Sequence, residues 1–405
     1  MRTLISFAAL FVSIAFVQLG SGALGPLDAL AGAARGFTTE EIGLLGSAHF
    51  VGFFIGCWIT PRMMGAVGHA RAFAVVAGIG AIGALLHPVF PTAIAWAILR
   101  IGTGIAVAGA YTVVDSWIQA KAENHNRGRI VSVYRIVDMT ASVAAQGLIA
   151  VLDPTTYVAY NILAVLCVLC LFPLALTRST PPAFASAPRL RPLRAIRISP
   201  LGAFSVIIVG LTGSSFRMVG PIYAIRNGLD ASEVAAFMAS GVAGGALAQW
   251  PAGWLSDKFD RRKVLIGISA TACLVCFSIS SGLFTGERWL IYAAAFAFGA
   301  AAFPLYSIAA SHANDYTPDD EIVDMNASLV FLFGVGAIVS PLAAASLIEA
   351  FGPSALFTYV AAAHIALIIF GLWRMTKRPL SDAKTPHRYL PRTSFTLTRL
   401  FKPRR

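Results

Sequence analysis

The sequence has little charge for its length. Of its 405 residues only 12% are charged, against roughly 25% in a soluble globular domain, and this shortage excludes an ordinary cytosolic enzyme. Acids are scarcer than bases, since 19 Asp and Glu against 31 Lys and Arg leave a net charge of +12, which alone could indicate a nucleic-acid partner. A mean hydropathy of +0.73 is too high for a chain whose main partner is a polyanion in water. The composition therefore predicts a membrane protein and no nucleic-acid partner.

The sequence also lacks the motifs that indicate catalysis or a cofactor. Its five cysteines include Cys167-x-x-Cys170 and Cys273-x-x-Cys276, but both pairs lie inside uninterrupted apolar stretches, without the turn or the nearby histidine of a zinc site. The glycine clusters precede no strand, and there is no Walker lysine motif. We expect no enzyme activity, no metal, no cofactor and no ATP-driven step.

Long apolar stretches, by contrast, run through the whole chain. A helix that crosses a membrane needs about 20 mostly apolar residues, and twelve such spans are predicted. Their approximate bounds are 4–24, 41–60, 72–89, 92–116, 130–152, 155–176, 199–220, 232–254, 264–283, 288–311, 322–347 and 355–375. No convincing signal-peptide cleavage site follows the first span, so we interpret it as a retained helix.

A segment rich in proline and arginine divides the twelve spans into two groups of six. We predict an all-α membrane protein with an N-terminal six-helix bundle over 1–177, a cytoplasmic linker over 178–198, a C-terminal six-helix bundle over 199–375 and a basic cytoplasmic tail over 376–405. With both termini in the cytoplasm, 25 basic residues lie on the inner side and three on the outer. The positive-inside rule therefore favours this orientation.

The loop after the eighth span carries a recognisable signature. The segment Gly253–Lys263 has the sequence Gly-Trp-Leu-Ser-Asp-Lys-Phe-Asp-Arg-Arg-Lys. The equivalent loop of the first half, Gly56–Arg71, keeps the glycines and basic residues but lacks the acid, and the fourth span contains Arg100 and Gly104. These patterns resemble the loop and fourth-span motifs of the major facilitator superfamily, with Asp260 where a second glycine is usual.

Shorter patterns narrow this resemblance. They are Pro61-Arg62 with Val67-Gly68-His69, Asp115-Ser116-Trp117, Gln249-Trp250-Pro251, and Pro304-Leu305-Tyr306 with His312-Ala313-Asn314-Asp315. Together they are similar to the compact bacterial permeases called YcaD-like. The resemblance implies a monomeric secondary transporter in the bacterial inner membrane, which moves a small-molecule substrate by alternating access with protons as the expected coupling ion. The basic tail suits anionic membrane lipids.

Other functions stay open at this point. A non-transporting assembly or sensor protein and a lipid flippase could both reuse the fold. Export of small organic compounds and import of a metabolite are both compatible with the sequence. The fifth span has Gln146-Gly147-Leu148-Ile149 where exporters carry a glycine-proline signature, which weakens the case for export.

Charged side chains inside the spans are the first candidates for a substrate or proton pathway, because each costs about 2.5–3.5 kcal/mol at the membrane centre. Arg135 and Asp138 share one helix face in the fifth span, either as a structural ion pair or as a site that opens during transport. Arg100, which the resemblance associates with proton coupling, needs a partner on another span, Asp138 and Asp28 being the nearest in type. Arg217 could anchor a carboxylate or phosphate, or extend to the outer interface.

Uncharged polar side chains complete the predicted pathway: His49, Tyr134, Gln146 and Tyr306. His49 is the weaker candidate, because a single histidine on an apolar helix is usually satisfied by a neighbouring carbonyl. Two further tyrosines, Tyr111 and Tyr223, are expected to belong to the interfacial belt.

The charged loop after the eighth span is predicted to act as a conformational latch. Its residues are Asp257, Lys258, Arg261 and Arg262, and the resemblance implies that they pair across the bundle when the cytoplasmic side is closed. A group of charges that exchanges partners between two states is suited to such a switch. The alternative is a solvated cluster that serves only topology. Because Thr60 or Pro61 replaces the acid in the first half, we expect a latch that is one-sided or differently built there.

Overall fold

The structure, a computed structural model, describes residues 7–122, 127–176, 190–284, 287–318 and 320–377. These ranges contain sixteen helices and no strand. In chain order the helices are α1 (Ala8–Gly22), α2 (Leu24–Ala34), α3 (Thr39–Val67), α4 (His69–Leu86), α5 (Ala93–Lys121), α6 (Arg127–Val151), α7 (Tyr157–Leu169), α8 (Leu171–Ala175), α9 (Pro192–Ile198), α10 (Pro200–Arg226), α11 (Ala231–Lys258), α12 (Arg261–Ser280), α13 (Arg288–Ala302), α14 (Leu305–Asn314), α15 (Ile322–Phe351) and α16 (Ala355–Lys377).

Twelve membrane-spanning segments are built from these helices. Eleven segments within the described residues are long and apolar enough to cross a membrane, with α1 and α2, α7 and α8, and α13 and α14 each joined into one segment. Helix α6 completes the twelve with 25 residues, although its charged side chains lower its hydropathy. The short helix α9 connects the two groups of six.

At least three spans differ from the sequence-based prediction, and one of them is the sixth, which is divided at Cys170 into α7 and α8. The first was expected to end near residue 24, but α2 continues the segment to Ala34, because the sequence stays apolar beyond Ala23. The tenth was expected to be one helix, but it is interrupted at Phe303 and Pro304. The cause is Pro304, which has no N–H to donate to a helix.

The predicted linker and tail are only partly covered. Residues 178–189 of the linker lie outside the described residues, and 190–198 contain α9. The predicted tail begins inside the last turn of α16 and lies outside the described residues from 378 onward.

Equivalent helices in the two halves begin with the same capping device. At the start of α3, the Glu41 backbone N–H donates to the Thr38 hydroxyl at 3.1 Å, and the Thr38 N–H donates to the Glu41 carboxylate at 2.8 Å. Asp230 and Glu233 repeat this reciprocal pair at the start of α11, with both bonds at 2.9 Å. Each capping box satisfies two backbone donors that a helix end leaves unpaired, so both helices have a fixed starting point.

Glycines allow helix backbones to touch at equivalent crossings. A Cβ atom added to Gly104 of α5 would lie 2.0 Å from the His49 carbonyl oxygen of α3. In the second half, a Cβ atom on Gly244 of α11 would lie 2.0 Å from the Phe296 carbonyl oxygen of α13. Such contact is possible only where no side chain intervenes, and it brings the residues around His49 and Arg100 to the centre of the molecule.

The two halves meet along several pairs of helices. Helix α3 packs against α15, α6 against α11, and both α2 and α3 against α10. At one end, the Arg226 guanidinium donates to the Thr39 hydroxyl at 2.6 Å and to the Glu349 carboxylate at 2.7 Å. These contacts join the halves near the start of α3, and the space they leave at the centre is the candidate site.

Candidate functional site

A cavity of about 230 Å³ lies between the two halves. Helices α1, α2, α3, α5 and α6 form one wall, and α10 and α11 form most of the other. The predicted pathway residues that line it are His49, Arg100, Arg135, Asp138, Gln146 and Arg217. Tyr134 and Tyr306 are not among its lining residues. Both are buried, with the Arg135 guanidinium 4.5 Å from the Tyr134 ring and the Phe333 ring 5.8 Å from that of Tyr306.

The carboxylate that faces Arg100 is Asp28, on α2. The Arg100 Nε and the His87 Nε2 each lie 3.5 Å from Asp28 Oδ2, and the Tyr160 hydroxyl donates to Asp28 Oδ1 at 3.0 Å. Three of these atoms, Asp28 Oδ2, His87 Nε2 and Arg100 Nε, are buried and have no hydrogen-bond partner among the described residues. Of the two acids considered from the sequence, Asp28 is therefore the partner of Arg100, and the contact leaves hydrogen-bonding capacity unused.

The ring of His87 is held by its own helix. Its Nδ1 is 2.6 Å from the Gly83 carbonyl oxygen, and because a carbonyl can only accept, Nδ1 carries a hydrogen. Nε2 is the ring nitrogen that faces Asp28 Oδ2, at 3.5 Å. His87 therefore links the end of α4 to the carboxylate on α2.

A second ionic cluster lies on α5 and α6. The Arg135 guanidinium is 3.7 Å from Asp138 and 3.8 Å from Asp115, so the pair expected from the fifth span has a third member. The Tyr111 hydroxyl lies within hydrogen-bond distance of Asp138 and of the Gln18 side chain. The expectation that Tyr111 belongs to the interfacial belt is wrong, because this side chain is buried and lines the cavity.

Arg217 lies on the opposite wall, on α10. Its guanidinium is 5.6 Å from the centre of the Phe303 ring, and no acid of the described residues lies within ion-pair distance of it. The side chain is exposed into the cavity. It faces the centre of the protein, where a bound solute would lie.

The predicted latch residues gather at the junction of α11 and α12. The buried Arg261 guanidinium donates to Asp315 at 2.5 Å, to the Ser311 carbonyl oxygen at 3.0 Å and to Asp257 at 3.3 Å. This ionic loop cluster, formed by Asp257, Asp260, Arg261, Arg262 and Asp315, ties α11 and α12 to the end of α14. The Lys258 ammonium lies 4.8 Å from the Trp254 ring.

Asp260, which stands where the loop motif usually has a second glycine, caps the start of α12. It accepts from the Arg262 backbone N–H at 3.0 Å and pairs with the Arg262 guanidinium at 2.9 Å. Partial burial of Asp260 opposes its ionisation, but the side-chain and backbone hydrogen bonds from Arg262 outweigh burial and hold the pKa of Asp260 below its ordinary value. Arg262 therefore pairs with Asp260, whereas Asp257 pairs with Arg261.

Several site residues are absent from the predicted set. His87, Tyr160, Tyr111 and Gln18 take part in the two buried clusters. Each is a single polar residue in or beside an apolar span, and hydropathy does not distinguish a face that meets lipid from one that meets another helix. For Tyr160 and Asp28 the contact joins residues 132 positions apart, which no local pattern indicates.

Comparison with known proteins agrees with this architecture. A sequence profile of the Major Facilitator Superfamily matches residues 10–244 and 202–405. The chain belongs to the major facilitator superfamily. The predicted fold class is confirmed, and so is the expectation of a multi-pass membrane transporter that is not an enzyme.

Curated relatives place the chain near the YcaD group within the superfamily. It is 27% identical over 381 residues to the uncharacterized MFS-type transporter YcaD of Salmonella typhi, covering 91% of this chain and 96% of the relative. An uncharacterized MFS-type transporter of Enterobacter sp. (strain 638) is 24% identical over 372 residues with the same coverage of both chains. These matches confirm the resemblance to the YcaD-like permeases of the superfamily.

Solved structures share the superfamily fold at low sequence identity. The nucleoside transporter NupG matches with a TM-score of 0.75 at 14% identity, covering 94% of this chain and 100% of that one. A D-xylose-proton symporter matches with a TM-score of 0.74 at 15% identity, covering 95% and 99%. A bacterial homolog of the human lysosomal transporter Spinster, in an inward-facing and occupied conformation, gives 0.73 at 16% identity, covering 95% and 99%.

Proposed function

We propose that this MFS transporter moves a small organic solute across the bacterial inner membrane by proton-coupled alternating access. The observation that carries the proposal is the central cavity, whose walls come from both halves. If the halves rock about such a cavity, it opens to each side in turn without either half unfolding. The contact of Arg226 with Thr39 and Glu349 joins the halves at one end, and it must break for that end to open.

The size of the cavity supports a small solute. Its volume of about 230 Å³ lies below the range of about 300–1,000 Å³ that is common for sites of drug-sized ligands. A solute of metabolite size therefore fits this site better than a large drug does.

The two buried ionic clusters support proton coupling. Asp28 lies between Arg100 and His87, and Asp138 faces the cavity beside Arg135. Ionisable groups at membrane depth mark proton and substrate pathways in transporters. The D-xylose-proton symporter that shares the fold shows by its name that this architecture can carry a proton with its solute.

The ionic loop cluster supports a latch on the cytoplasmic side. Arg261 contacts the ends of α11 and α14 together, so movement of either end changes the partners of one buried guanidinium. In this orientation the basic loops face the cytoplasm, as the positive-inside rule requires. The same rule supports cytoplasmic termini and contact of the basic tail with anionic lipids.

The test first identifies a ligand and then replaces the candidate proton-carrying carboxylates one at a time. Purified protein is screened against a metabolite library by thermal shift, since a ligand stabilises the state that it binds. A labelled ligand is then followed in proteoliposomes, first by exchange and then under an imposed pH gradient. Asp28→Asn and Asp138→Asn are compared with Asp153→Asn, a control on an exposed loop.

We expect the wild type and Asp153→Asn to accumulate the ligand when the pH gradient is imposed. Asp28→Asn or Asp138→Asn should keep exchange and lose accumulation, because exchange needs the solute site alone whereas accumulation needs the proton as well. Proton coupling is contradicted if both variants accumulate ligand with the wild-type rate and pH dependence. Transport itself is contradicted if ligands that bind tightly never cross the membrane.

A further inference from the structure

The cavity contains three arginines that differ in what they contact. Arg100 faces Asp28, and Arg135 lies between Asp115 and Asp138, so both have carboxylates nearby. Arg217 faces the cavity, has no carboxylate of the described residues within ion-pair distance although the charge of Asp138 reaches it, and lies 5.6 Å from the centre of the Phe303 ring. A cation at this distance is attracted to the ring, but the contact uses none of its N–H donors. The guanidinium of Arg217 therefore keeps its planar set of donors for a bound molecule.

The opposite wall presents an acceptor that is also unused. The Gln146 side chain is only 5% exposed, and its Nε2 lies 3.4 Å from the Gly22 carbonyl oxygen, to which it donates. Because a carbonyl can only accept, the amide is assigned with Nε2 toward Gly22. It leaves Gln146 Oε1 buried and without a hydrogen-bond partner among the described residues. A buried acceptor of this kind is unfavourable unless it is paired, and a ligand with a hydroxyl or amine donor would pair with it.

The remainder of the lining is mainly apolar and adaptable. Aromatic and methionine side chains contribute to both walls: Phe50, Phe53, Met139, Phe216, Met218 and Met238. Aromatic faces and thioether groups pack well against rings and alkyl groups. Apart from the two ionic clusters, the cavity thus has a guanidinium donor on one wall, an amide acceptor on the other, and apolar side chains on both walls.

We propose that the solute of this cavity is a small organic carboxylate that carries a hydroxyl or amine donor and an apolar group. Arg217 holds the carboxylate through two parallel N–H···O bonds, as its planar guanidinium allows. Gln146 Oε1 accepts from the donor of the ligand, and the phenylalanine and methionine side chains cover the apolar group. This substrate class rests on the proposed transport function, since it assigns the occupant of the same cavity.

Matched pairs of acid and amide test the proposal. The probes are mandelate, which has a carboxylate, a hydroxyl and a phenyl group, its neutral amide mandelamide, and phenylacetate, which lacks the hydroxyl. Lactate and lactamide form a second pair without the aromatic ring. Binding to the purified full chain in detergent is measured by thermal shift over a concentration series, so that no membrane crossing is needed.

Three variants assign the binding to the proposed side chains. Arg217→Gln removes the charge, Arg217→Lys keeps the charge without the planar fork, and Gln146→Leu removes the acceptor. Arg62→Gln is the matched control, because Arg62 is an exposed arginine that donates to the Trp58 carbonyl oxygen of its own helix and lies outside the cavity lining.

We expect mandelate to bind more tightly than mandelamide, phenylacetate and lactate. Arg217→Gln should weaken mandelate about tenfold or more, as expected when a hydrogen bond to a charged group is lost, whereas Arg217→Lys should weaken it less. Gln146→Leu should remove the preference for mandelate over phenylacetate, and Arg62→Gln should bind like the wild type.

The inference is overturned if no acid of the panel binds, if each amide binds as tightly as its acid, or if Arg217→Gln and Arg62→Gln bind mandelate equally. Its failure can be distinguished from failure of the transport proposal. If a neutral solute is carried across proteoliposomes and the acids do not bind, transport stands and the substrate class is wrong. If mandelate binds through Arg217 but no bound solute crosses the membrane, the site stands and transport is wrong.

Discussion

The two halves of the molecule share their helix packing but differ in where they keep their charges. The first half has three carboxylates within its helices near the cavity, Asp28, Asp115 and Asp138, each facing an arginine. In the described part of the second half, the carboxylates lie at helix ends, and Arg217 is the charged residue that lines the cavity. Two bundles with similar packing therefore place different charges at the cavity. The first half contributes paired carboxylates and arginines, and the second contributes a single cation.

This difference also indicates what each half contributes to stability. A buried ion pair contributes little net free energy, because desolvation offsets the attraction, but removing one member leaves an uncompensated buried charge. Removing a cation that is exposed into a cavity leaves no uncompensated buried charge behind. Substitutions of arginine should therefore have very different effects in different parts of this protein.

The largest effect is expected at the ionic loop cluster. Arg261→Ala should reduce the free energy of unfolding by about 3–5 kcal/mol, because the partner Asp315, only 6% exposed, would lose its ion pair. Denaturant unfolding of purified protein in detergent measures this loss. Lys258→Ala is the matched control, since Lys258 lies over the exposed ring of Trp254. Similar losses in the two variants would show that Arg261 serves only topology.

A slightly smaller loss of stability is expected when Arg100, in the first half, is replaced. Arg100→Gln should lower the free energy of unfolding by about 3 kcal/mol, the lower end for a broken buried pair, because His87 and Tyr160 still face Asp28. Arg217→Gln should change it by less than about 0.5 kcal/mol, as for an exposed site. The same unfolding assay compares the two variants, and equal losses would remove the contrast between the walls.

The helix crossings should behave alike in the two halves. Gly104→Ala and Gly244→Ala each bring a Cβ atom to 2.0 Å from a backbone oxygen, so each should cost about 1–3 kcal/mol through overpacking. The control for Gly104 is Gly102→Ala, whose Cβ would meet only Ile79 at 3.6 Å. Gly267→Ala, which has nothing within 4 Å, is the control for the second half. Thermal unfolding separates clashing from open sites, and a cost in one half only would contradict the shared packing.

The smallest effect is expected where α9 meets α15. Arg194 donates to Glu321 at 2.7 and 2.5 Å, and this hydrogen bond holds the pKa of Glu321 below its ordinary value. A carboxyl with a lowered folded-state pKa stabilises the fold above its unfolded pKa and loses that contribution as the pH falls through the folded value. The small stability difference between the wild type and Glu321→Gln should therefore shrink between about pH 7 and pH 3. A difference that grows on acidification would contradict this assignment.

The sequence predicts the spans better than it predicts the site. Twelve spans follow from hydropathy, and the pair of Arg135 with Asp138 follows from spacing within one helix. The contact of Arg261 with Asp315 joins positions 54 residues apart, and Asp28 meets Arg100 and His87 from two other spans. These contacts depend on how helices rotate against one another. Apolar residues cover both lipid-facing and partner-facing sides of a span, so periodicity leaves that rotation undetermined, and Tyr111 was misassigned for this reason.

The proline interruption of the tenth span connects the cavity to the ionic loop cluster. Phe303, at the interruption, lines the cavity beside Arg217. From there α14 extends ten residues, or about 15 Å, and its end provides Ser311 and Asp315 to Arg261. Because Pro304 has no N–H to donate to the hydrogen-bond ladder of α13, α14 is a separate short helix that joins the cavity wall to the ionic loop cluster. Any movement of this one helix would therefore alter both contacts together.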